Sequence, residues 1–337
     1  MIPDKEALWW SSLEGDWLEC HLCPRNCRIE EGASGYCRVR QNRSGSLFAL
    51  AYGRPVAVHA DPIEKKPLYH FYPGSYTYSL GTFGCNLGCM FCQNWSLSHV
   101  APNWGNTLKV PPQDVVQAAL RSGCSSLAFT YNEPTVWGEY VLDISRPARK
   151  AGLKTVMVTN GYTSPEAREE IYAEVDAANV DLKAFSEDFY RRQADARLQP
   201  VLDTLVWLRN KTGVWLEVTC LVIPGLNDDP EMIRLLSGWV HDHLGPDTPL
   251  HFSAFHPNYR LLDRPPTAPA ILRKAVDTAR NSGLRFVYEG NVEGEGAHTC
   301  CPRCQKLLVR RSWHCVTENS LRGNHCPCGE SIPGRYS

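Results

Sequence analysis

The middle of the chain alternates short apolar runs with stretches whose apolar positions recur every three or four residues. The runs 76–83, 126–132, 155–159, 179–184, 215–223, 250–255 and 285–288 read as strands, being rich in β-branched and aromatic residues. Between them, residues 112–122 carry Val115, Val116, Ala119 and Leu120 on one predicted helical face. Residues 199–211 carry Val201, Leu202, Leu205 and Leu208 at the same spacing. Ser164-Pro165-Glu166 reads as a helix start, with a capping serine and a proline at the first helical position. Repeated strand–helix units predict a parallel sheet, and periodicity alone does not choose between an open sheet and a barrel. The flanks differ. Alternation across 46–58 predicts a hairpin with Gly53-Arg54-Pro55 as its turn, and 61–67 an ordered loop. Leu307-Leu308-Val309 is a short strand candidate.

Composition narrows the class. The chain has 337 residues, 43% hydrophobic and 21% charged, enough to bury a core, so global disorder is excluded. A net charge of -1 argues against binding a polyanion by bulk charge, so a nucleic-acid partner is not expected. No apolar run approaches the roughly 18 residues that span a bilayer. The N-terminus carries early acids and lacks the apolar segment of a secretory signal, so a cytoplasmic setting without membrane attachment is expected. Three regions are expected: a Cys-rich region with a hairpin at 1–73, an α/β body at 74–297 and a small Cys-rich knuckle at 298–337.

Fifteen cysteines fall into groups, and in a reducing compartment such groups point to metal sites more than to disulfides. Cys85, Cys89 and Cys92 form Cys-x3-Cys-x2-Cys just after a predicted strand. Soft sulfur ligands suit zinc, Cu(I) or iron–sulfur groups. A closed zinc site has four protein ligands; three cysteines on a four-iron cubane leave one iron open. A zinc site completed by a distant residue, or three unligated thiols, are the plainer readings. Gly84 and Gly88 are expected to let the backbone bend close to the bound group.

Cys-x3-Cys-x-aromatic-Cys resembles the signature of radical S-adenosylmethionine (radical SAM) enzymes. The wider text resembles the radical SAM family of the AmmeMemoRadiSam system, relatives of glycyl-radical activases such as pyruvate formate-lyase activating enzyme. The phrases that carry it are Cys20-His21-Leu22-Cys23-Pro24-Arg25-Asn26-Cys27, Asp61-Pro62-Ile63-Glu64-Lys65-Lys66-Pro67-Leu68, residues 84–95 around the cysteine triad, Tyr131-Asn132-Glu133-Pro134-Thr135 and Gly290-Asn291-Val292. The resemblance implies a partial (β/α)6-type radical SAM barrel with small attachments at both ends. It implies a 4Fe-4S cluster on Cys85, Cys89 and Cys92, reductive cleavage of SAM, and hydrogen abstraction by a 5'-deoxyadenosyl radical. It also implies a flavodoxin- or ferredoxin-type electron donor. The target is a protein partner, as in activases, or a small molecule, and Memo-like and AMMECR-like proteins are expected partners.

The same resemblance assigns cofactor-binding roles. Phe91 is expected near the SAM adenine. Asn132 and Glu133 occupy the family's Gly-Gly-Glu site, with Tyr131 and Asn132 where glycines are usual and the acid retained for the SAM amine. Thr159 and Asn160 suit a ribose or methionyl contact, or simply a strand-to-helix turn. Asp181 and Lys183 share one face of their strand, and Lys183 suits the SAM carboxylate; an internal ion pair is the plainer reading. Residues 220–227 resemble a segment that supports adenine. His256 is either structural or part of the site.

The flanking cysteines keep alternatives open. Cys20, Cys23, Cys27 and Cys37 supply four thiolates for zinc or an auxiliary four-iron cluster, their spacing matching neither common ferredoxin pattern. Zinc as a staple is the reading favoured here. Cys301, Cys304, Cys326 and Cys328 resemble a zinc ribbon whose second pair is one residue too short, so His325 is an alternative to Cys326, with Cys300 and Cys315 as further candidates. The excess of basic residues in 300–337 suggests a solvated or partner-docking face. Cys124 and Cys220 are expected to be buried packing residues. A non-catalytic, zinc-rich protein- or RNA-binding module is the competing reading of the whole chain.

Overall fold

A computed structural model describes residues 3–336. Its centre is one eight-stranded sheet whose strands follow chain order without interruption. They are β1 (Ala57–Pro62), β2 (Tyr76–Gly81), β3 (Ser126–Phe129), β4 (Lys154–Thr159), β5 (Ala177–Asp181), β6 (Trp215–Val222), β7 (Leu250–Ala254) and β8 (Val287–Gly290). β1 runs antiparallel to β2, and every pair from β2 to β8 is parallel. Parallel neighbours need crossovers, and each of the six is helical, through Pro112–Arg121, Gly138–Lys150, Pro165–Tyr172, Glu187–Ala194 with Gln199–Lys211, Pro230–Leu244 and Pro269–Asn281. Six strand–helix units followed by a seventh parallel strand make the α/β partial barrel that the resemblance implied. Among the described residues β1 and β8 do not pair, so the barrel stays open.

The local signals hold at several points. Ser164 caps its helix by accepting from the Ala167 N–H, with Pro165 at the first position. Val115, Val116 and Ala119 are buried, whereas Leu120, expected on the same face, is 41% exposed at its margin. Cys124 and Cys220 are buried as expected.

The N-terminal hairpin falls elsewhere. Arg40–Arg43 pairs with Ser46–Ala49 around a turn at Ser44 and Gly45, both at positive φ (51° and 76°). The segment read as its second arm is β1, which pairs with β2 and forms the sheet's antiparallel edge. Both turns carry permissive residues; pairing of β1 along a buried sheet outcompetes a local return. Leu18, Val39 and Leu47 share one apolar core with the barrel. The C-terminal strands Leu307–Ser312 and Cys315–Asn319 form a separate small sheet with Thr299–Cys300, packed on Tyr69, Phe286 and Tyr288. Among the described residues no helix is long and apolar enough to cross a membrane.

Candidate active site

The C-terminal ends of parallel strands are where barrel sites form, because the loops there converge over the open ends of the sheet. A cavity of about 480 Å³ lies there, within the range of small-molecule sites. Residues at or beyond the C-terminal ends of β2 (Cys85, Cys89, Phe91, Cys92), β3 (Asn132, Glu133), β4 (Thr159, Asn160) and β5 (Asp181, Lys183) all line it. His256 does not; it is exposed beyond β7. The Phe-His-Pro context offered no signal to separate a turn histidine from a site histidine.

Glu133 is 2% exposed, and burial raises its pKa against the hydrogen bonds that favour the carboxylate. Its Oε1 accepts from the Thr135 N–H (2.9 Å) and the Thr159 hydroxyl (2.7 Å), and its Oε2 from the Asn160 N–H (2.8 Å). A carboxylate has about four acceptor positions, so these leave about one for a ligand. Thr159 therefore holds Glu133 in place. Asn160 extends the chain: its Nδ2 donates to Asn86 Oδ1 (2.9 Å) and lies 3.8 Å from Cys85 Sγ. Asn132 is occupied by its neighbours, accepting from the Thr82 N–H (2.9 Å) and donating to the Gly84 carbonyl (2.8 Å). It fixes the loop that carries Cys85.

Tyr131 sits at φ 72°, a left-handed conformation that glycine adopts at less cost. Its hydroxyl donates to Asp61 Oδ2 (2.6 Å), which also accepts from Lys66 (2.7 Å), while Lys65 reaches Oδ1 (2.9 Å). Burial would raise the Asp61 pKa, but these donors hold it well below the usual carboxylate range. Burial pulls Lys66 down to about 8. Lys65, Lys66 and His314 line the cavity, and sequence reasoning missed all three as site residues. Lys65 and Lys66 lay in a phrase read as a loop, and His314 approaches from the knuckle, which only the tertiary fold brings near.

Lys183 Nζ is 3.0 Å from Asp181 Oδ2 and 5.7 Å from the Phe91 ring centre. Burial opposes its charge, yet Asp181 keeps its pKa above the ordinary lysine value. Phe91 is buried, 5.9 Å from Phe189 between ring centres. Residues 220–227 act through the backbone: Asn227 donates to the carbonyls of Lys183 (2.7 Å) and Leu221 (2.8 Å), and Leu221 lines the cavity.

Burial raises all three triad thiols, Cys89 to about 12, so they become thiolates only with a cation to compensate. The two glycines also sit against the N-terminal segment, and Gly84 takes the left-handed bend that glycine adopts at least cost. A Cβ on Gly84 (φ 94°) would lie 2.6 Å from the Cys37 carbonyl, and one on Gly88 2.5 Å from the Tyr36 hydroxyl. They make room for the N-terminal cysteine loop.

The C-terminal cysteines form a different site. Cys301, Cys304, Cys326 and Cys328 have sulfurs all within 4.8 Å of one another. Cys301–Cys328 and Cys304–Cys326 are each 3.7 Å apart, close to the edge of about 3.8 Å expected for a tetrahedron with metal–sulfur bonds of about 2.3 Å. The Cys304 and Cys328 N–H groups face the sulfurs of Cys301 and Cys326 at 3.5 Å. His325 is exposed and Cys326 takes the position, because its N–H and carbonyl are fixed by Glu330 and Gly329 (2.8 Å each). Cys300 and Cys315 stay outside the group and are exposed. Arg311, counted with the basic surface, is fully buried.

Comparison with known proteins agrees with this geometry. The sequence pattern of the radical SAM superfamily matches residues 79–236. An uncharacterized protein of Methanocaldococcus jannaschii is 44% identical over 308 residues, 91% of each chain. Pyruvate formate-lyase 1-activating enzyme of Escherichia coli (strain K12) is 23% identical over 164 residues, 47% of this chain and 66% of that one. Among solved structures, Streptococcus suis SuiB bound to S-adenosylmethionine shares the fold with a TM-score of 0.52, at 14% identity over 68% of this chain and 53% of that one. The chain belongs to the radical SAM superfamily. It is a radical SAM enzyme with similarity to pyruvate formate-lyase activating enzymes, and its class implies a 4Fe-4S cluster and SAM.

Proposed function

We propose that this enzyme reductively cleaves SAM and uses the resulting radical on a protein partner, as an activase does. One observation carries the reading: the cysteine triad, Glu133, Asp181 and Lys183 line a single cavity of about 480 Å³. Cys85, Cys89 and Cys92 would hold the cluster, and unpartnered Thr219 Oγ1 and His314 Nδ1 beside them leave polar atoms for a ligand. When bound, the cluster supplies the electron that splits the SAM sulfonium and generates a 5'-deoxyadenosyl radical.

The chain's own residues bind and orient. Glu133 is a fixed anion with about one free acceptor position, suited to the SAM ammonium. Lys183 is a cation held charged by Asp181, suited to the SAM carboxylate, with Phe91 beside it for the adenine face. Asn132, Thr159 and Asn160 keep those groups in place through the hydrogen bonds above. Zinc in the C-terminal tetrahedron would staple the knuckle that carries His314 to the cavity. A flavodoxin- or ferredoxin-type donor would supply the electron.

Similarity to an activating enzyme supports a protein substrate. The phrases at 20–27, 61–68 and 84–95 support membership of the AmmeMemoRadiSam system, with Memo-like and AMMECR-like partners. A non-catalytic zinc module leaves the cavity without a purpose. The test is to incubate the reduced enzyme and SAM with each candidate partner and record low-temperature EPR. A glycyl doublet on a partner supports the activase reading. SAM cleavage with no doublet on any partner contradicts it and favours a small-molecule substrate.

A further inference from the structure

Part of the cavity wall belongs to no group used so far. Lys65 and Lys66 reach it from the turn after β1, and His314 from the hairpin turn between Leu307–Ser312 and Cys315–Asn319. Tyr131, from the loop after β3, lies against them, with Lys66 Nζ 4.7 Å from its ring centre. Three segments far apart in sequence thus converge on the one cavity.

This wall is rich in donors and poor in acceptors. Lys65 and Lys66 share a single carboxylate, Asp61 (2.9 and 2.7 Å), which also accepts from the Tyr131 hydroxyl (2.6 Å). Two ammonium groups against one carboxylate leave one positive charge uncompensated. Asp61 fixes both ammonium groups, yet each has three donors and spends one on it. The other acids lining the cavity, among the described residues, are already placed: Glu133 accepts from three donors, and Asp181 pairs with Lys183. His314 supplies a second observation. Its Nδ1 is buried without a hydrogen-bond partner, which is costly unless a ligand or water satisfies it. Burial and the two lysines lower the His314 pKa, and burial, aided by Lys65, pulls Lys66 down to about 8. Both groups are therefore stabilised in their charged forms by a negative charge arriving beside them. SAM does not supply that charge. It carries one carboxylate, and Lys183 is already assigned to it.

We propose that Lys65, Lys66 and His314 form a subsite for an anionic group of the substrate, a carboxylate or a phosphoryl, held in the same cavity as SAM. The proposal rests on the radical SAM reading of that cavity and adds the charge of what enters it. The anion arrives on an acidic residue beside the target of a protein partner, or on a free small acid.

The reconstituted full-length enzyme, with SAM present and no reductant, is titrated calorimetrically with three probes. They are the peptide acetyl-Asp-Gly-Asp-amide, its neutral counterpart acetyl-Asn-Gly-Asn-amide, and inorganic phosphate. At least one anionic probe should bind, and the acidic peptide, where it binds, should do so about tenfold tighter than the neutral one. Lys65→Gln combined with His314→Gln should weaken that binding about tenfold or more, while Lys65→Arg should retain it. These variants spare the buried Lys66, and unchanged iron content and thermal unfolding verify the fold. Binding of the acidic peptide alone assigns the anion to a protein partner, and binding of phosphate alone assigns it to a small acid. No binding of either anionic probe, equal affinity in the double variant, or loss of SAM affinity in that variant would overturn the proposal. The activase reading fails separately, because the glycyl doublet that tests it is neither needed nor formed in this titration.

Discussion

The side-chain amide of Asn160 lies 3.8 Å from Cys85 Sγ, and its backbone N–H donates to Glu133 at 2.8 Å. One residue thus ties the proposed cluster ligand to the proposed SAM anchor. Amide donors to cluster sulfurs raise a cluster's potential. Asn160→Ala should shift the midpoint to a more negative value and slow SAM cleavage about 10–100-fold. An EPR-monitored redox titration checks the shift; an unchanged midpoint would mean the amide does not act on the cluster.

Glu133→Gln removes the charge and keeps the shape. Hydrogen bonds to charged groups contribute about 1.5–3 kcal/mol, so SAM affinity should fall about tenfold to a hundredfold. Iron content should stay at the wild-type level, because Glu133 is not proposed as a cluster ligand. Equilibrium binding of SAM to both proteins measures the ratio.

The knuckle is clipped to the barrel by Arg311. Its Nε is 3.6 Å from Glu64 Oε1, both side chains fully buried, and it donates to the carbonyls of Ala297 (3.0 Å) and Tyr69 (2.8 Å). Arg311→Met leaves the buried Glu64 carboxyl, whose pKa burial already raises, without its counter-charge and should cost about 3–5 kcal/mol. Adding Glu64→Gln should recover part of that loss. Thermal unfolding, with proteolysis of the knuckle as a second readout, follows both variants.

His70 links acid stability to the same docking surface. Its ring nitrogens bond the Pro333 carbonyl (2.6 Å) and the Tyr288 hydroxyl (2.5 Å), and burial pulls its pKa down to about 4. Between about pH 6.5 and 4 the unfolded chain takes up a proton that the folded one refuses, so stability falls as pH falls through that window. The contribution is at most about 1.4 kcal/mol per pH unit. Chemical unfolding across the window should show a shallower slope for His70→Gln than for wild type.

Much of the site was legible because its chemistry is local. Cys85, Cys89 and Cys92 fall within one loop, and Glu133, Asn160 and Lys183 each follow a strand that the hydrophobic pattern located, so parallel topology alone brings them together. What was not legible depended on long-range packing. Gly84 and Gly88 read as cluster-loop glycines, and the room they also leave for Cys37 and Tyr36 depends on a distant segment that the local pattern does not show. β1 looked like half of a hairpin because pairing to β2 cannot be told from local alternation. His314 carries no motif, and Arg311 looked like surface charge until Glu64 was seen beside it.

The central claim is most directly tested by quantifying 5'-deoxyadenosine after anaerobic reduction with dithionite in the presence of SAM. The reconstituted wild-type enzyme should form it, and the chain with Cys85→Ala, Cys89→Ala and Cys92→Ala should form none. Equal product from both proteins, or none from a wild-type enzyme loaded with iron and sulfide, would contradict the account.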